Sequence, residues 1–320
     1  MGKFILSVLV LLLCFSSSYA ERVTLVADWH SNDPYYVSFA TGISKGFFRE
    51  EDIDLKIEVG KGSYVSTLAI DYGRAEFAII GTTSLLLARS RGIPVVAVMQ
   101  ITEKIPHAIF CRKDLNVLEI SDLRGKSVIY NPLSSRSLSL QGFLRMNNLW
   151  GSMTLVSGGG TAYSEIQCFL DKKVDCIVAT YYMTAPILDG KIDYSVFLFY
   201  DLGLKIPHQT LAVHQDMIIK RPDLIKRFLR ATVKSFKYSR ENPDESLDIY
   251  SKMYPESSKD IIRSFFSKSY SYMYPDLTRG FIRKDLFENA NDFLKKTSQI
   301  KELVDIESSY TNRFLEDIYK

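Results

Sequence analysis

Few residues of this chain have the type and spacing that catalytic chemistry needs. Its histidines are His30, His107, His208 and His214, and no two of them have the spacing of metal ligands. The run Gly158 to Gly160 is not followed by the Lys-Ser/Thr pair of a phosphate-binding P-loop. We therefore expect no metal site, no nucleotide hydrolysis and no cofactor, and the sequence favours non-covalent binding over catalysis.

Better candidates for ligand contact follow predicted strands, because open α/β sheets bind ligands beyond the carboxyl ends of their strands. Trp29 could stack its indole face on a flat heterocycle, although an aromatic side chain of the core is the alternative. The triple glycine would let a solute approach the backbone, although a plain turn is the alternative. The candidate set is Asp28, Trp29, Asn32, Tyr35, Tyr64, Thr82, Thr83, His107, Gly159, Gly160, Tyr181 and His208.

Strands and helices alternate through two successive parts of the chain, as the apolar periodicity indicates. Such order predicts an α/β protein in which each part forms a mostly parallel sheet with flanking helices. From about Arg221 the pattern is helical only, with Pro222 at an expected first turn and an apolar stripe from Ile225 to Phe236. The predicted strands are Val23–Ala27, Leu55–Val59, Phe77–Ile80 and Val95–Met99 in the first part, and Ala108–Cys111, Ser127–Tyr130, Thr154–Val156 and Cys176–Ala179 in the second.

The N-terminus has the pattern of an export signal. Lys3 precedes an apolar run from Phe4 to Phe15, and Ser18-Tyr19-Ala20 offers small side chains for cleavage before Glu21. The run is too short to be a settled helix across roughly 30 Å of hydrocarbon, although an uncleaved anchor is the alternative. The formal net charge is +3 and the basic residues form no stripe, so nucleic acid is not an expected partner.

Three cysteines remain after the predicted signal, which leaves at least one thiol free or paired with another molecule. In an oxidising compartment, Cys168 and Cys176 could bridge a helix to the next strand. Burial as small apolar residues explains both of them equally well.

Several motifs occur in an order and spacing that resemble one known family. The first is Asp28-Trp29-His30-Ser31-Asn32, and a helical segment ending in Ser44-Lys45-Gly46-Phe47-Phe48 follows it. Together with later motifs, they make the chain similar to ABC-transporter solute-binding proteins that capture thiamine-pyrimidine precursors. Sulfonate, taurine and riboflavin binders are close relatives of that group. The later motifs are Gly73–Ile79, Leu86–Ala97, Asp122–Val128 and Arg221–Thr232.

This resemblance implies a two-lobed clamp of the type II periplasmic-binding architecture, which closes on a solute by a hinge motion. The expected organisation is a signal peptide over residues 1–20, one lobe over 21–104 plus 210–320, and a second lobe over 105–209. The resemblance also implies a periplasmic monomer without enzyme activity, which delivers a small solute to an ABC permease in the membrane.

The identity of the solute stays open at this point. A flat heterocycle such as a thiamine pyrimidine precursor suits Asp28, Trp29 and the many tyrosines, although Tyr35 stands where pyrimidine binders commonly have a histidine. An organic anion such as a sulfonate or taurine suits the hydroxyl-rich helix starts, but the cleft loops show no Arg; riboflavin is another alternative. A pyrimidine-precursor synthase is less favoured, because the chain lacks the cysteine-rich iron-binding run of the eukaryotic synthases. An exported sensor built on the same clamp is the remaining alternative.

Overall fold

Two five-stranded sheets organise the protein in a computed structural model that describes residues 20–132, 134–158, 162–273 and 279–320. The predicted signal peptide, apart from its last residue, lies outside the described residues. The strands are β1 (Glu21–Ala27), β2 (Ile53–Val59), β3 (Phe77–Gly81), β4 (Val95–Gln100), β5 (His107–Arg112), β6 (Ser127–Tyr130), β7 (Thr154–Ser157), β8 (Cys176–Thr180), β9 (Tyr194–Leu198) and β10 (Gln209–His214). The helices are α1 (Tyr35–Ser44), α2 (Ser63–Asp71), α3 (Thr82–Ser90), α4 (Ser135–Met146), α5 (Ala162–Leu170), α6 (Tyr181–Leu188), α7 (Gln215–Lys220), α8 (Pro222–Glu241), α9 (Pro243–Met253), α10 (Lys259–Ser269), α11 (Lys284–Lys296) and α12 (Arg313–Ile318).

Each sheet contains one strand that runs against the other four. The first sheet has the order β2-β1-β3-β10-β4, and the second has the order β7-β6-β8-β5-β9. β10 is antiparallel to β3 and β4, and β5 is antiparallel to β8 and β9. Both reversed strands follow a passage of the chain from one sheet to the other. The predicted α/β class is confirmed, while the lobe limits, which fall beside these passages, stay a prediction.

All eight predicted strands are present, but β9 and β10 were not predicted. The side chains of β9 are only partly buried or exposed, so the strand shows no clear alternation of apolar and polar residues. β10 begins with Gln209 and Thr210, two polar residues that are nonetheless buried. Periodicity therefore identifies strands whose faces differ in polarity, and it misses a buried strand that carries polar groups.

The long helix α8 anchors the first sheet through the predicted apolar stripe. Ile225, Phe228 and Leu229 are buried, and the ring of Phe228 stacks on Phe77 of β3 with centroids 3.8 Å apart. Burial of such a stripe provides most of a helix's stability, since an isolated helix is marginal in water. In the described ranges, no helix has the length and apolar character to cross a membrane.

Packing between the sheets brings their strand ends together. α10 packs on α6, and α3 packs on both α4 and α11. An added Cβ at Gly142 of α4 would lie 2.1 Å from Phe293 Cζ of α11, so the absence of a side chain permits this approach. An added Cβ at Gly81, where β3 ends, would lie 2.8 Å from Cβ of Ser135 at the start of α4. The two halves are therefore in close contact around the strand ends.

A disulfide within the second sheet decides between the alternatives left open for the cysteines. Cys111 of β5 bonds to Cys176 of β8, the residue directly opposite it in the antiparallel register, with Cα atoms 4.1 Å apart. Cys168 and Cys176 therefore form no bridge, and Cys168 carries a free thiol. The bonded residues are 65 positions apart in sequence, so only the strand order, which local spacing does not reveal, makes them neighbours.

Candidate ligand-binding site

A narrow cavity of about 20 Å³, which as it stands has room for little more than a water molecule, lies between the two sheets. Clefts with a few convergent polar groups are typical of small-molecule sites. Both sheets and the helices that follow their strands contribute to its walls. The lining residues are Asp28, Trp29, Asp33, Gly62, Ser63, His107, Ser134, Ser135, Arg136, Thr180, His208 and Gln209.

Strand direction explains why these residues converge. Asp28 directly follows β1, and Thr180 is the last residue of β8, so both lie at carboxyl ends, as expected for an open α/β sheet. The reversed strands β5 and β10 begin where their neighbours end. His107 and Gln209, the first residues of these two strands, therefore reach the same edges.

The Asp28 carboxylate is held by hydrogen bonds on both oxygens. Tyr35 Oη and Gln209 Nε2 donate to Oδ1 at 3.2 Å each, and Ser63 Oγ donates to Oδ2 at 3.0 Å. Burial raises the pKa of Asp28 to about 6, although these hydrogen bonds favour the charged form and oppose the rise. Asp28 is therefore mainly ionised at pH 7 and above.

A second buried carboxyl, Asp33, shares the amide of Gln209. Gln209 Nε2 donates to Asp33 Oδ2 at 3.3 Å, while Asp33 Oδ1 has no hydrogen-bond partner among the described residues. Burial, and then the charge of Asp28, raise the pKa of Asp33 well above its usual value. Since two close carboxylates do not both ionise easily, the charge on Asp28 disfavours ionisation of Asp33.

Two buried histidines meet where the chain passes between the sheets. His107 Nε2 and His208 Nε2 are 3.1 Å apart, and Ser135 Oγ lies 3.1 Å from the same nitrogen of His208. His107 Nδ1 is 3.0 Å from Ser139 Oγ. Burial lowers the pKa of His208 to about 3 and lowers the pKa of His107 well below its usual value, so both imidazoles are neutral.

The opposite wall carries a buried arginine that the sequence did not predict. Arg136, near the start of α4, lies over the indole ring of Trp29, with its Cζ 5.0 Å from the ring centroid. Its Nη2 is 3.5 Å from Oε2 of Glu165, a residue of α5 that is also buried. The cleft loops named from the sequence contain no Arg, but helix α4 brings Arg136 to the cavity. A residue in a helical pattern is easily taken for a surface residue when the segments that cover it are distant in sequence.

Comparison with known proteins places this fold and cavity in a family. A family model described as NMT1/THI5 like matches residues 33–246, which is more than half of the chain. The chain belongs to the NMT1/THI5-like family.

Relatives in this family include proteins named for binding and proteins named for synthesis. The riboflavin-binding protein RibY of Chloroflexus aurantiacus is 25% identical over 310 residues, covering 92% of this chain and 86% of RibY. A 4-amino-5-hydroxymethyl-2-methylpyrimidine phosphate synthase of Legionella pneumophila is 24% identical over 313 residues, covering 94% of each chain.

A solved structure bears out the fold. The periplasmic aliphatic sulphonate binding protein SsuA of Escherichia coli aligns with a TM-score of 0.70 over 90% of this chain and 91% of its own, at 15% identity. This likeness confirms the predicted periplasmic-binding-protein fold.

Six of the predicted ligand contacts in this family member lie in the cavity wall or support it. Asp28, Trp29, His107 and His208 line the cavity. Tyr35 instead holds Asp28, and the amide and hydroxyl of Thr82 donate to the carbonyl oxygen of His208 at 2.6 and 2.9 Å. Their roles in binding stay predictions.

Four of the other predicted contacts lie elsewhere, and two fall outside the described residues. Tyr64 is half exposed and lines a separate cavity that shares Ser134 with the first one. Tyr181 stacks on Phe110 with ring centroids 6.2 Å apart. Asn32 and Thr83 are not in the lining, and Gly159 and Gly160 fall outside the described residues.

The candidate set lacks most of the polar wall. The polar lining residues outside that set are Asp33, Ser63, Ser134, Ser135, Arg136, Thr180 and Gln209. Ser63, Ser135 and Thr180 lie at or just before the first residues of α2, α4 and α6, so the rule that ligands sit at strand ends and helix starts could have found them. Gln209 had no such signal, because β10 was not predicted.

Proposed function

We propose that this protein is an extracytoplasmic solute-binding protein of an ABC importer, and that it holds a small heterocycle between its two sheets. The observation that carries the proposal is the origin of the cavity walls. Trp29 and the Asp28–Gln209–Asp33 cluster come from the first-sheet side, while His107, Ser135 and Arg136 come from the second. A solute bound there contacts both halves at once.

The chemistry of the lining suits a flat nitrogen heterocycle. An indole offers a face for stacking, and a buried carboxylate offers acceptor oxygens for ring or amino N–H groups. A thiamine pyrimidine precursor has this chemistry and is the leading candidate. The names of the two relatives, one for riboflavin and one for a pyrimidine phosphate, support a ring-shaped ligand.

Transport would use closure of the two predicted lobes, 21–104 plus 210–320 and 105–209. A ligand shifts such an equilibrium only by binding the closed state more tightly than the open one. Contacts from both walls provide that preference. The closed form of the periplasmic monomer would then dock on the permease, and no covalent step is involved.

An organic anion is the second candidate, and a specific observation favours it. Arg136 lines the cavity, and no side chain caps the starts of α2, α4 and α6, which converge there. Helix N-termini and a guanidinium both favour negative charge. Against this candidate, Arg136 already faces Glu165, so the wall offers an anion no uncompensated positive charge.

The test uses the protein's two tryptophans as a matched pair. Native mass spectrometry of the protein purified from an exporting host should show a retained small solute. Trp29→Ala should lose it, whereas Trp150→Ala should keep it, because Trp150 is half exposed beside Arg145 and lies outside the cavity. If both variants retain the solute equally and are equally stable to heat, the solute does not bind in this cavity.

A further inference from the structure

The cavity wall contains buried polar atoms that have no partner within the described part of the chain. Two of them are His208 Nδ1 and Asp33 Oδ1, in side chains that are more than nine-tenths buried. A third, Arg136 Nη2, faces Glu165. An unpaired buried polar atom costs about 1–3 kcal/mol, so a ligand that pairs with it gains affinity. A ligand whose groups reach these atoms would therefore complete their hydrogen bonds.

One arrangement of the protons along the histidine chain leaves a lone pair on His208 Nδ1. In this arrangement Ser139 Oγ donates to the carbonyl oxygen of Ser135 at 3.3 Å, and the same oxygen accepts from His107 Nδ1, 3.0 Å away. His107 Nε2 then carries no proton and accepts from His208 Nε2, with Ser135 Oγ as a second acceptor. Because a neutral imidazole has one N–H group, His208 Nδ1 is an acceptor.

The Gln209 amide makes the corresponding assignment for Asp33. Gln209 Nε2 can only donate, and it donates to Asp33 Oδ2. A proton on Asp33 therefore belongs on Oδ1, the oxygen without a partner. Burial and the charge of Asp28 both raise the pKa of Asp33, which favours the protonated form of this carboxyl. With these proton positions, the cavity lining contains an acceptor at His208 and a donor at Asp33.

We propose that His208 Nδ1 and Asp33 Oδ1 determine specificity by reading one N–H donor and one acceptor of an uncharged heterocycle, as in an amidine-like or lactam-like group. The inference rests on the proposed function and narrows its ligand class. An alkanesulfonate group presents acceptors only, so its oxygens would face the lone pair of His208 and leave that atom unpaired.

Two substitutions at His208 separate this role from a structural one. In His208→Asn, the side-chain oxygen replaces Nδ1 as an acceptor and the link to His107 is lost. In His208→Gln, the amide nitrogen replaces Nε2 as a donor and the Nδ1 acceptor is lost. We expect His208→Gln to weaken binding about tenfold or more and His208→Asn to weaken it less. A purely structural role for the imidazole pair predicts the opposite order.

Asp33 provides an independent pair of variants. Asp33→Asn places an N–H donor where the protonated oxygen stood and keeps an acceptor for Gln209, so we expect affinity within about threefold of the parent. Asp33→Leu removes the donor and should weaken binding about tenfold or more. If Asp33→Asn weakens binding as much as Asp33→Leu, a charged carboxylate is required and the inference is wrong.

The probes for calorimetry are 4-amino-5-hydroxymethyl-2-methylpyrimidine, riboflavin and ethanesulfonate. The inference expects one of the two heterocycles to bind at least tenfold more tightly than ethanesulfonate, with the order of variants given above. Preferential binding of ethanesulfonate that Trp29→Ala abolishes would overturn the inference and the choice of a heterocycle, and would leave the solute-binding role of this cavity intact. Absence of binding by every probe, together with no retained solute in native mass spectra, would contradict both.

Discussion

The two walls of the cavity differ in how firmly their charged groups are held. On the first-sheet side, both oxygens of Asp28 accept hydrogen bonds, from Tyr35, Ser63 and Gln209. On the second-sheet side, Arg136 and Glu165 approach to 3.5 Å, yet Arg136 Nη2 and both Glu165 oxygens lack a hydrogen bond among the described residues. The first wall is therefore preorganised by three donors, whereas the Arg136–Glu165 pair has, among the described residues, a single hydrogen bond, from Arg136 Nη1 to the carbonyl oxygen of Val178 at 3.4 Å.

This difference has an energetic meaning. A buried ion pair contributes little net stability, but removing one partner leaves an uncompensated buried charge and costs about 3–5 kcal/mol. The burial of a carboxylate such as Asp28 instead shifts its pKa, so its effect on the free energy of unfolding changes with pH. The two walls should consequently respond to different perturbations.

The largest effect is expected from breaking the ion pair on the second wall. Arg136→Met should lower the free energy of unfolding by about 3 kcal/mol or more, because Glu165 stays buried without its partner. The double variant Arg136→Met with Glu165→Leu should recover most of that loss. Urea denaturation at pH 7 measures both values. If the double variant is as unstable as the single one, the pair does not act as a unit.

The second-largest effect, again a loss of free energy of unfolding, is expected from removal of the disulfide in the second sheet. Cys176→Ala breaks the bond between β5 and β8, whose ends carry His107 and Thr180 at the cavity. For a bond that closes a long loop, the expected loss in free energy of unfolding is about 2–4 kcal/mol. Cys168→Ala, at the free thiol, is the matched control and should change stability by less than about 0.5 kcal/mol. Equal losses in the two variants would contradict the pairing.

On the first wall, Asp28 should make the stability of the protein depend on pH. Burial raises the pKa of Asp28 to about 6 in the folded protein, from an ordinary value of 3.8, so the fold disfavours the charged form. The contribution of Asp28 to stability is therefore fully present below pH 4 and is lost as the pH rises to about 6. Asp28→Asn has no carboxyl at this position and avoids the loss. For the ligand-free proteins, the free energy of unfolding of the variant minus that of the parent should therefore be about 2 kcal/mol larger at pH 8 than at pH 4. A pH-independent difference between variant and parent would show that the carboxylate is not strained.

The contact between the walls should give the smallest effect. A methyl group at Gly81 would lie 2.8 Å from Cβ of Ser135, so Gly81→Ala should push the walls apart and weaken solute binding about tenfold. The double variant Gly81→Ala with Ser135→Gly removes the clash and should regain part of the affinity. Calorimetry with the retained solute measures both, and unchanged affinity in the single variant would show that closure does not depend on this contact.

Much of the fold could be predicted from local patterns. The predicted strands follow from short apolar runs or from alternation of apolar and polar residues, and the stripe of α8 follows from helical spacing; each segment carries such a pattern within itself. Asp28 and Trp29 could be predicted to face the cavity, because they come directly after the first strand and carboxyl ends of strands meet at one edge.

The rest depends on contacts between distant segments. Cys111 faces Cys176 only because β5 lies beside β8, and Gln209 reaches Asp28 only because β10 enters the first sheet in reverse. Arg136 is buried because Trp29 and Glu165 cover it from two different elements. Sheet order and direction decide all three, and the spacing of residues along the chain does not specify them.

The most direct test of a solute held between the two walls uses a single-tryptophan protein. Trp29 and Trp150 are the only tryptophans, so Trp150→Phe leaves Trp29 as the sole emitter. Addition of the retained solute should change the emission of Trp29 in a saturable way, with a midpoint equal to the dissociation constant from calorimetry. Saturable calorimetric binding with unchanged Trp29 emission would contradict the account, because the solute would then bind away from this cavity.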